Sequence, residues 1–316
     1  MTKSLIKDFQ REIQKSKSRF ISIMLIVALG VAFYSGVRSS LPAMYMTADA
    51  SYDKENLMDI RVVGTLGLTE SDIEAIKQVE GVEEIEGSYT TDFLCFVNSK
   101  EIVTRAVSMT KSINDVTLLE GEYPNIYNQC LVSREFIEES GLKVGDVLQL
   151  SSGTTDEISK TLATDSYKIV GVCSSSYYLN GDAGTSNVGD GMADGYVIIP
   201  KEAFVSDAYT SVYITLTGAK ELNSFDKDYK NLVNNVIGKL EEISGKQCDI
   251  RYTEVRSTAN EELDKAERQF STEKINVEDD LKNALDRLYA QKTLIENSRA
   301  EIEANKNLLA NAEEYL

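Results

Sequence analysis

From Phe20 to Val37 the chain runs FISIMLIVALGVAFYSGV, with no charged residue, between Arg19 and Arg38. As a helix, these residues rise about 27 Å, close to the roughly 30 Å of a bilayer's hydrocarbon core. A secretion signal has a shorter apolar stretch, and a soluble core helix would show a polar face. The pattern therefore predicts a retained transmembrane helix over 20–40. Inside it, Ala28, Ala32 and Gly36 recur at every fourth position, a small-residue face on which another helix can approach closely. Ahead of it, residues 1–19 carry six basic residues against two acidic ones. Leu5, Ile6, Phe9 and Ile13 share one helical face there, which predicts an amphipathic segment at the interface with membrane lipid. A plain basic stop signal is the alternative. The positive flank places the N-terminus in the cytoplasm and everything after Arg38 outside.

Beyond a polar stretch containing Pro42 the periodicity changes. Residues 58–63 alternate as a strand. Thr69 to Asp72 has the form of a capping box, and Ile73, Ile76 and Val79 follow at helical spacing. Residues 82–97 and 101–109 read as strands. A second unit is expected near the other end: a strand over 209–216, a helix through Tyr229, Leu232, Val233, Val236 and Leu240, and a closing strand over 247–252. Between these two βαβ units lies a β-rich insert, about 101–205. There Ser133 should cap a short helix ended by Gly141, and residues 143–150, 167–173 and 196–200 read as strands. The fold class expected is α+β: one transmembrane helix, a two-lobed extracytoplasmic domain over 41–255, and a long helix over 256–316.

That last region loses glycine and proline. Leu281, Leu288, Ile295, Ile302, Leu309 and Leu316 recur at every seventh residue, and Val277, Ala284, Gln291, Ser298, Asn305 and Ala312 form the other seam. Such heptads predict a coiled coil. The second seam is polar or small after Ala284, so the helix needs a partner. A hairpin interrupted at Leu316 is the expected arrangement and a parallel homodimer the alternative.

Composition narrows the function. The net charge is −18 and there is no histidine. An acidic surface repels phosphate backbones, so a nucleic-acid partner is not expected. Without histidine the commonest general base and metal ligand are missing. There is no G-x-x-x-x-G-K-[ST] loop and no G-x-S-x-G elbow. No catalytic, cofactor-binding or metal-binding residue is therefore assigned, and the chain is read as a non-enzyme. The glycine-rich loop 180–195 carries Asp182, Asp190 and Asp194, but at spacings unlike a calcium loop, and it reads as a connection. Cys95, Cys130, Cys173 and Cys248 are far apart and read as small buried hydrophobes, with disulfides as the alternative in an exported domain.

The residues DFQREIQKSKSRF (8–20) running into the span, Ala48-Asp49 through Leu57–Arg61, LEGEYP (119–124), SGLKVGD (140–146) and VIIPKEAF (197–204) together resemble FtsX-like permeases of ABC transporters. The outer part resembles their MacB-like periplasmic core domain. The likeness covers about residues 1–255, and the coiled coil resembles long insertions in some Gram-positive members. It implies a permease subunit in a bacterial cell membrane, without cofactor of its own. A separate cytoplasmic ABC ATPase would bind ATP, and further transmembrane helices would complete the permease. The outer domain would transmit force for export or extraction of a lipid, peptide or lipoprotein. The chain departs from the family in carrying one span where a permease needs several. A single-pass surface protein with a coiled-coil stalk is the alternative function, and an anchored extracellular enzyme is a third class.

Overall fold

In the computed structural model, residues 3–97, 100–154, 157–181 and 183–313 are described. Contacts divide the chain into two units, residues 1–248 and 249–316.

The first unit opens with two helices, α1 (Lys3–Lys15) and α2 (Lys17–Lys54). Leu5, Ile6 and Phe9 lie exposed on α1. Helix α2 is the one described helix long and apolar enough to cross a membrane, and none of its apolar stretch is buried. It continues through Pro42, where the sequence suggested a polar break. Proline takes away the amide that would bond to the Arg38 carbonyl. One turn earlier, the Ser39 and Ser40 hydroxyls both donate to the Gly36 carbonyl. The helix survives because one missing bond costs less than a restart.

A three-stranded antiparallel sheet follows, ordered β1 (Ile60–Leu68), β10 (Tyr209–Leu216), β2 (Val82–Ser88). Helix α3 (Glu70–Lys77) joins β1 to β2, and β10 slots between them. Its capping box is formed as expected: the Thr69 amide donates to Asp72 Oδ2 at 2.7 Å. Helix α5 (Lys227–Glu313) begins in this lobe. Its Tyr229, Leu232, Val233, Val236 and Leu240 join Ile60, Ile76, Val212 and Ile214 in one core. The closing strand expected over 247–252 is absent; those residues continue α5. Extending an existing helix adds one bond per residue, whereas a strand there would need a free sheet edge to pair with.

The second lobe uses β3 (Thr90–Val97), β4 (Lys100–Ser108), β5 (Thr117–Gly121), β6 (Gln129–Ser133), β7 (Val147–Ser151), β8 (Ser166–Ser174) and β9 (Gly195–Ile199). Their order is β5-β8-β6-β9-β4-β3-β7, and a further β8–β7 pairing closes six of them into a barrel, with β5 outside. The single strand expected over 82–97 is two, broken at Tyr89 where the chain leaves one lobe for the other. Helix α4 (Arg134–Ser140) starts on Ser133, whose Oγ accepts from the Phe136 amide at 3.1 Å, and ends on Gly141 at φ +72°. Phe136 lies within the barrel core with Phe93, Ile102 and Val197. Gly195 lets it in: a Cβ there would stand 2.9 Å from the Phe136 side chain.

Cys95, Cys130 and Cys173 are buried and free. Burial pushes the Cys95 thiol up to about 11 and Cys173 to about 12. Cys248 departs from the expectation of burial: it is free and exposed. Asp194 Oδ2 accepts from the Val103 amide of β4 at 2.8 Å, which ties the loop to the barrel, and Asp190 Oδ1 accepts from the Met192 amide within the loop at 3.2 Å. Asp182 lies outside the described residues.

The second unit is the remainder of α5. Leu281, Leu288, Ile295, Ile302 and Leu309 are all exposed along it. Leu316 lies outside the described residues.

Because Phe136 is fully buried, Phe136→Ala is expected to destabilise the barrel lobe by about 3–5 kcal/mol. A shifted denaturation midpoint, with Phe136→Leu much milder, checks this; equal midpoints would remove Phe136 from the core.

Candidate functional site: the junction of the apolar helix with the outer lobes

The sequence-derived site residues fall in two places. Ala28, Ala32 and Gly36 lie exposed on α2, and a Cβ added at Gly36 meets nothing within 4 Å. The heptad residues lie on α5. The structure brings neither set against a partner among the described residues. What it does bring together is a set the sequence did not flag: residues 45–59, the last turns of α2 and the few residues after it.

These residues reach every part of the outer domain. Tyr45 stacks on Phe225, ring centroids 4.3 Å apart and 12° from parallel. One turn on, Asp49 Oδ1 accepts from the Ser224 amide and hydroxyl, both at 2.7 Å, while Oδ2 accepts from Asn223 Nδ2 at 3.0 Å. The loop leading into α5 is thus tied to α2. Ser51 Oγ lies 3.0 Å from Ser176 Oγ in the second lobe. Glu55, only 7% exposed, accepts from the Thr117 hydroxyl at 2.7 Å and from the Ser176 amide. A buried carboxylate needs such donors, because leaving one unpaired costs several kcal/mol.

The residues between β4 and β5 form the other half of the clasp. The Asp115 and Asn114 amides donate to the Glu55 and Asn56 carbonyls at 2.7 and 2.9 Å. Asn114 Oδ1 accepts from the Met58 amide at 2.9 Å. Asn56 Nδ2 donates to the Ser112 carbonyl at 2.6 Å and to Glu84 Oε2 at 3.2 Å. Glu86 on β2 accepts from the successive amides of Lys111, Ser112 and Ile113. Asn56 and Asn114 are the two described non-glycine residues with positive φ, at 46° and 57°. Asparagine tolerates that conformation better than most residues, and here it turns both strands of chain into the clasp. Finally, Asp59 accepts from the Tyr229 hydroxyl and the Leu216 amide, both at 2.7 Å, which joins β10 and α5 to the same segment.

Electrostatics here are acidic. Burial raises the Asp59 carboxyl above its ordinary range, although both of its hydrogen bonds pull the other way. Asp115 is also raised, by burial first and then by Glu86, Glu55 and Glu84, with Lys220 opposing. The described residues include no group of three carboxylates, cysteines or histidines placed to hold a metal. The arrangement fixes one helix to two lobes.

No family model matches the chain, and no curated protein matches it. Solved structures do show similarity. One is the extracellular domain of the ABC-type transporter YknZ from Gram-positive bacteria, at 15% identity and a TM-score of 0.32, covering 55% of this chain and 87% of that one. Another is the periplasmic region of MacB from Actinobacillus actinomycetemcomitans, at 7% identity and a TM-score of 0.33, covering 58% of this chain and 76% of that one. TM-scores below 0.5 fall short of a common fold, so the functional reading rests on the chain's own residues.

A carboxyl whose folded pKa is raised favours the fold below the ordinary carboxylate value, and that contribution is lost as pH rises through the raised value. Asp115→Asn is therefore expected to raise stability over wild type at neutral pH. The gain should vanish as pH falls towards about 4. Denaturation midpoints at both pH values check the sign; a gain that persists in acid would show that charge is not its source.

Proposed function

We propose that the chain is a membrane-spanning subunit of an ABC transporter of the FtsX/MacB kind, which transmits the work of a separate cytoplasmic ATPase to its outer domain. The carrying observation is the junction: Asp49, on the last turns of α2, hydrogen-bonds to the lead-in of α5, and Glu55, which caps the end of α2, hydrogen-bonds to the barrel lobe. A shift or rotation of α2 pulls directly on both lobes. The basic residues of α1 support a cytoplasmic N-terminus, with its apolar face on membrane lipid. The small stripe Ala28, Ala32 and Gly36 is the face offered to further transmembrane helices, and the heptad face of α5 is the face offered to a second helix. ATP is bound by the partner and not by this chain. The cargo class is a lipid, peptide or lipoprotein.

Two measurements test this reading. The first is topology. A membrane-impermeant maleimide applied to intact cells is expected to label Cys248, which is exposed, while Cys95, Cys130 and Cys173 stay unreacted until denaturation. Labelling of Cys248 only after lysis would reverse the orientation. The second is assembly. Purification of the chain from its native membranes is expected to bring down an ATPase with a phosphate-binding loop. Ala32→Leu should lower that recovery, because the small-residue face no longer admits its neighbour. Asp49→Ala should leave the association intact yet lower ATP-driven activity of the complex about ten-fold, matching the loss of roughly 1.4 kcal/mol of coupling. Absence of any ATPase from the purified material would reject the permease reading and leave the anchored stalk.

A further inference from the structure

The inner end of the molecule carries charges that its own fold does not use. On α1, Lys7, Arg11 and Lys15 stand four residues apart. A helix turns about 100° per residue, so each such step drifts by only about 40° and the three share one face. Leu5, Phe9 and Ile13 have the same spacing, two residues out of step. That puts them about 160° round the helix, with Ile6 beside them. One side of α1 is thus basic and the other apolar. Lys7, Arg11, Lys15, and then Lys17 and Arg19 at the start of α2, are all exposed. None of the five forms an ion pair among the described residues.

At Ser16 the backbone leaves helical values, with φ −120° and ψ 38°. Helices α1 and α2 are therefore separate rods, and α1 is free to lie flat where α2 enters the bilayer. With its apolar face in the acyl boundary, a helix of this kind has its opposite face among the headgroups. The long stems of lysine and arginine carry their charges to the phosphate level.

The charge balance selects the occupant. The five cations stand with two carboxylates, Asp8 and Glu12, which leaves a surplus of three positive charges. The outer end of α2 has no such surplus: Arg38 and Lys54 stand there with Asp49, Asp53 and Glu55. The chain as a whole carries −18, so its acidic bulk repels an anion while the inner end attracts one. An acidic groove on a protein would satisfy the basic face but would leave Leu5, Ile6, Phe9 and Ile13 uncovered. A membrane with anionic lipid satisfies both faces at once.

We propose that α1, together with Lys17 and Arg19, is a binding site for anionic phospholipid. The headgroups seat the inner end of α2 as Asp49 and Glu55 seat its outer end. The inference rests on reading α2 as a membrane span, and not on transport.

The test uses the full chain in phosphatidylcholine vesicles doped with spin-labelled phosphatidylglycerol or spin-labelled phosphatidylcholine. Both leaflets carry the probe, so the outcome does not depend on orientation. Electron paramagnetic resonance reads the fraction of label immobilised by the protein. Phosphatidylglycerol is expected to associate at least about three-fold more strongly than phosphatidylcholine, and less so in about 0.5 M salt. The triple variant Lys7→Gln, Arg11→Gln, Lys15→Gln should at least halve that preference, with immobilised phosphatidylcholine unchanged, which shows an inserted chain. Lys7→Arg with Lys15→Arg should keep the preference, and so should Arg38→Gln at the outer end. Equal association of the two lipids would overturn the proposal, as would an unchanged preference in the triple variant. If the triple variant instead lost co-purifying ATPase while the lipids associated equally, the basic face would belong to a protein partner. A chain that failed to immobilise either lipid would sink the span and this inference together.

Discussion

A carboxylate taken out of water must find donors, and Glu55 finds them on two different pieces of chain. Its side chain needs the Thr117 hydroxyl on β5 and the Ser176 amide beyond β8, while its own carbonyl receives the Asp115 amide. These groups come from positions 55, 115, 117 and 176, so the end of α2 and the barrel lobe fix each other's place. The same turn of chain ties Asp59 to β10 and α5. Were α2 to end one residue earlier or later, a buried charge would lose its donors, and hydrogen bonds to charged groups are worth about 1.5–3 kcal/mol each. A helix end held this way is specific in register, which apolar packing alone would not impose.

The polarity of α2 explains why this works at a membrane surface. From Phe20 to Val37 the side chains are uncharged, mostly apolar and exposed, suited to lipid on all sides. Arg38 then donates to the Tyr34 hydroxyl at 2.8 Å, a pairing of the kind that gathers at an interface. From Tyr45 onward the helix offers hydroxyls and carboxylates to the outer domain. One uninterrupted rod therefore has one end soluble in hydrocarbon and the other hydrogen-bonded into a folded domain. Pro42 lies between the two regimes, where a single forfeited amide is cheapest.

How much of this the sequence discloses depends on the range of the interaction. The Thr69–Asp72 box, the Ser133 cap and the Gly141 stop each lie within a few residues of what they bond, and all three are legible. So is the helical stripe from Tyr229 to Leu240, which does pack on the small sheet. The insertion of β10 between β1 and β2, and the β7–β8 closure of the barrel, join residues far apart and leave no local trace. Residues 247–252 alternate in the manner of a strand, yet local alternation is outweighed by a helix already under way. The junction was illegible for a further reason. Asp49, Glu55 and Asp59 sit in an acidic chain, where a carboxylate reads as solvated surface until its donors, more than fifty residues away, are seen.

The same contrast separates the periodic faces of this chain from its junction. The small stripe of α2 and the heptads of α5 are periodic, so the sequence announces them, but a periodic face says only that something packs there. The junction is aperiodic, and its meaning comes from stoichiometry: which donors and acceptors are matched, and which remain. Around Glu55, Glu86 and Asp59 the count closes within the chain, as expected of a structural lock. At Asn114 Nδ2 and Asn56 Oδ1, a donor and an acceptor in the same clasp, it does not close. The carboxylates that tie helix to lobes are matched by the chain's own donors, and the two groups left over belong to asparagines whose other side-chain atoms are already engaged.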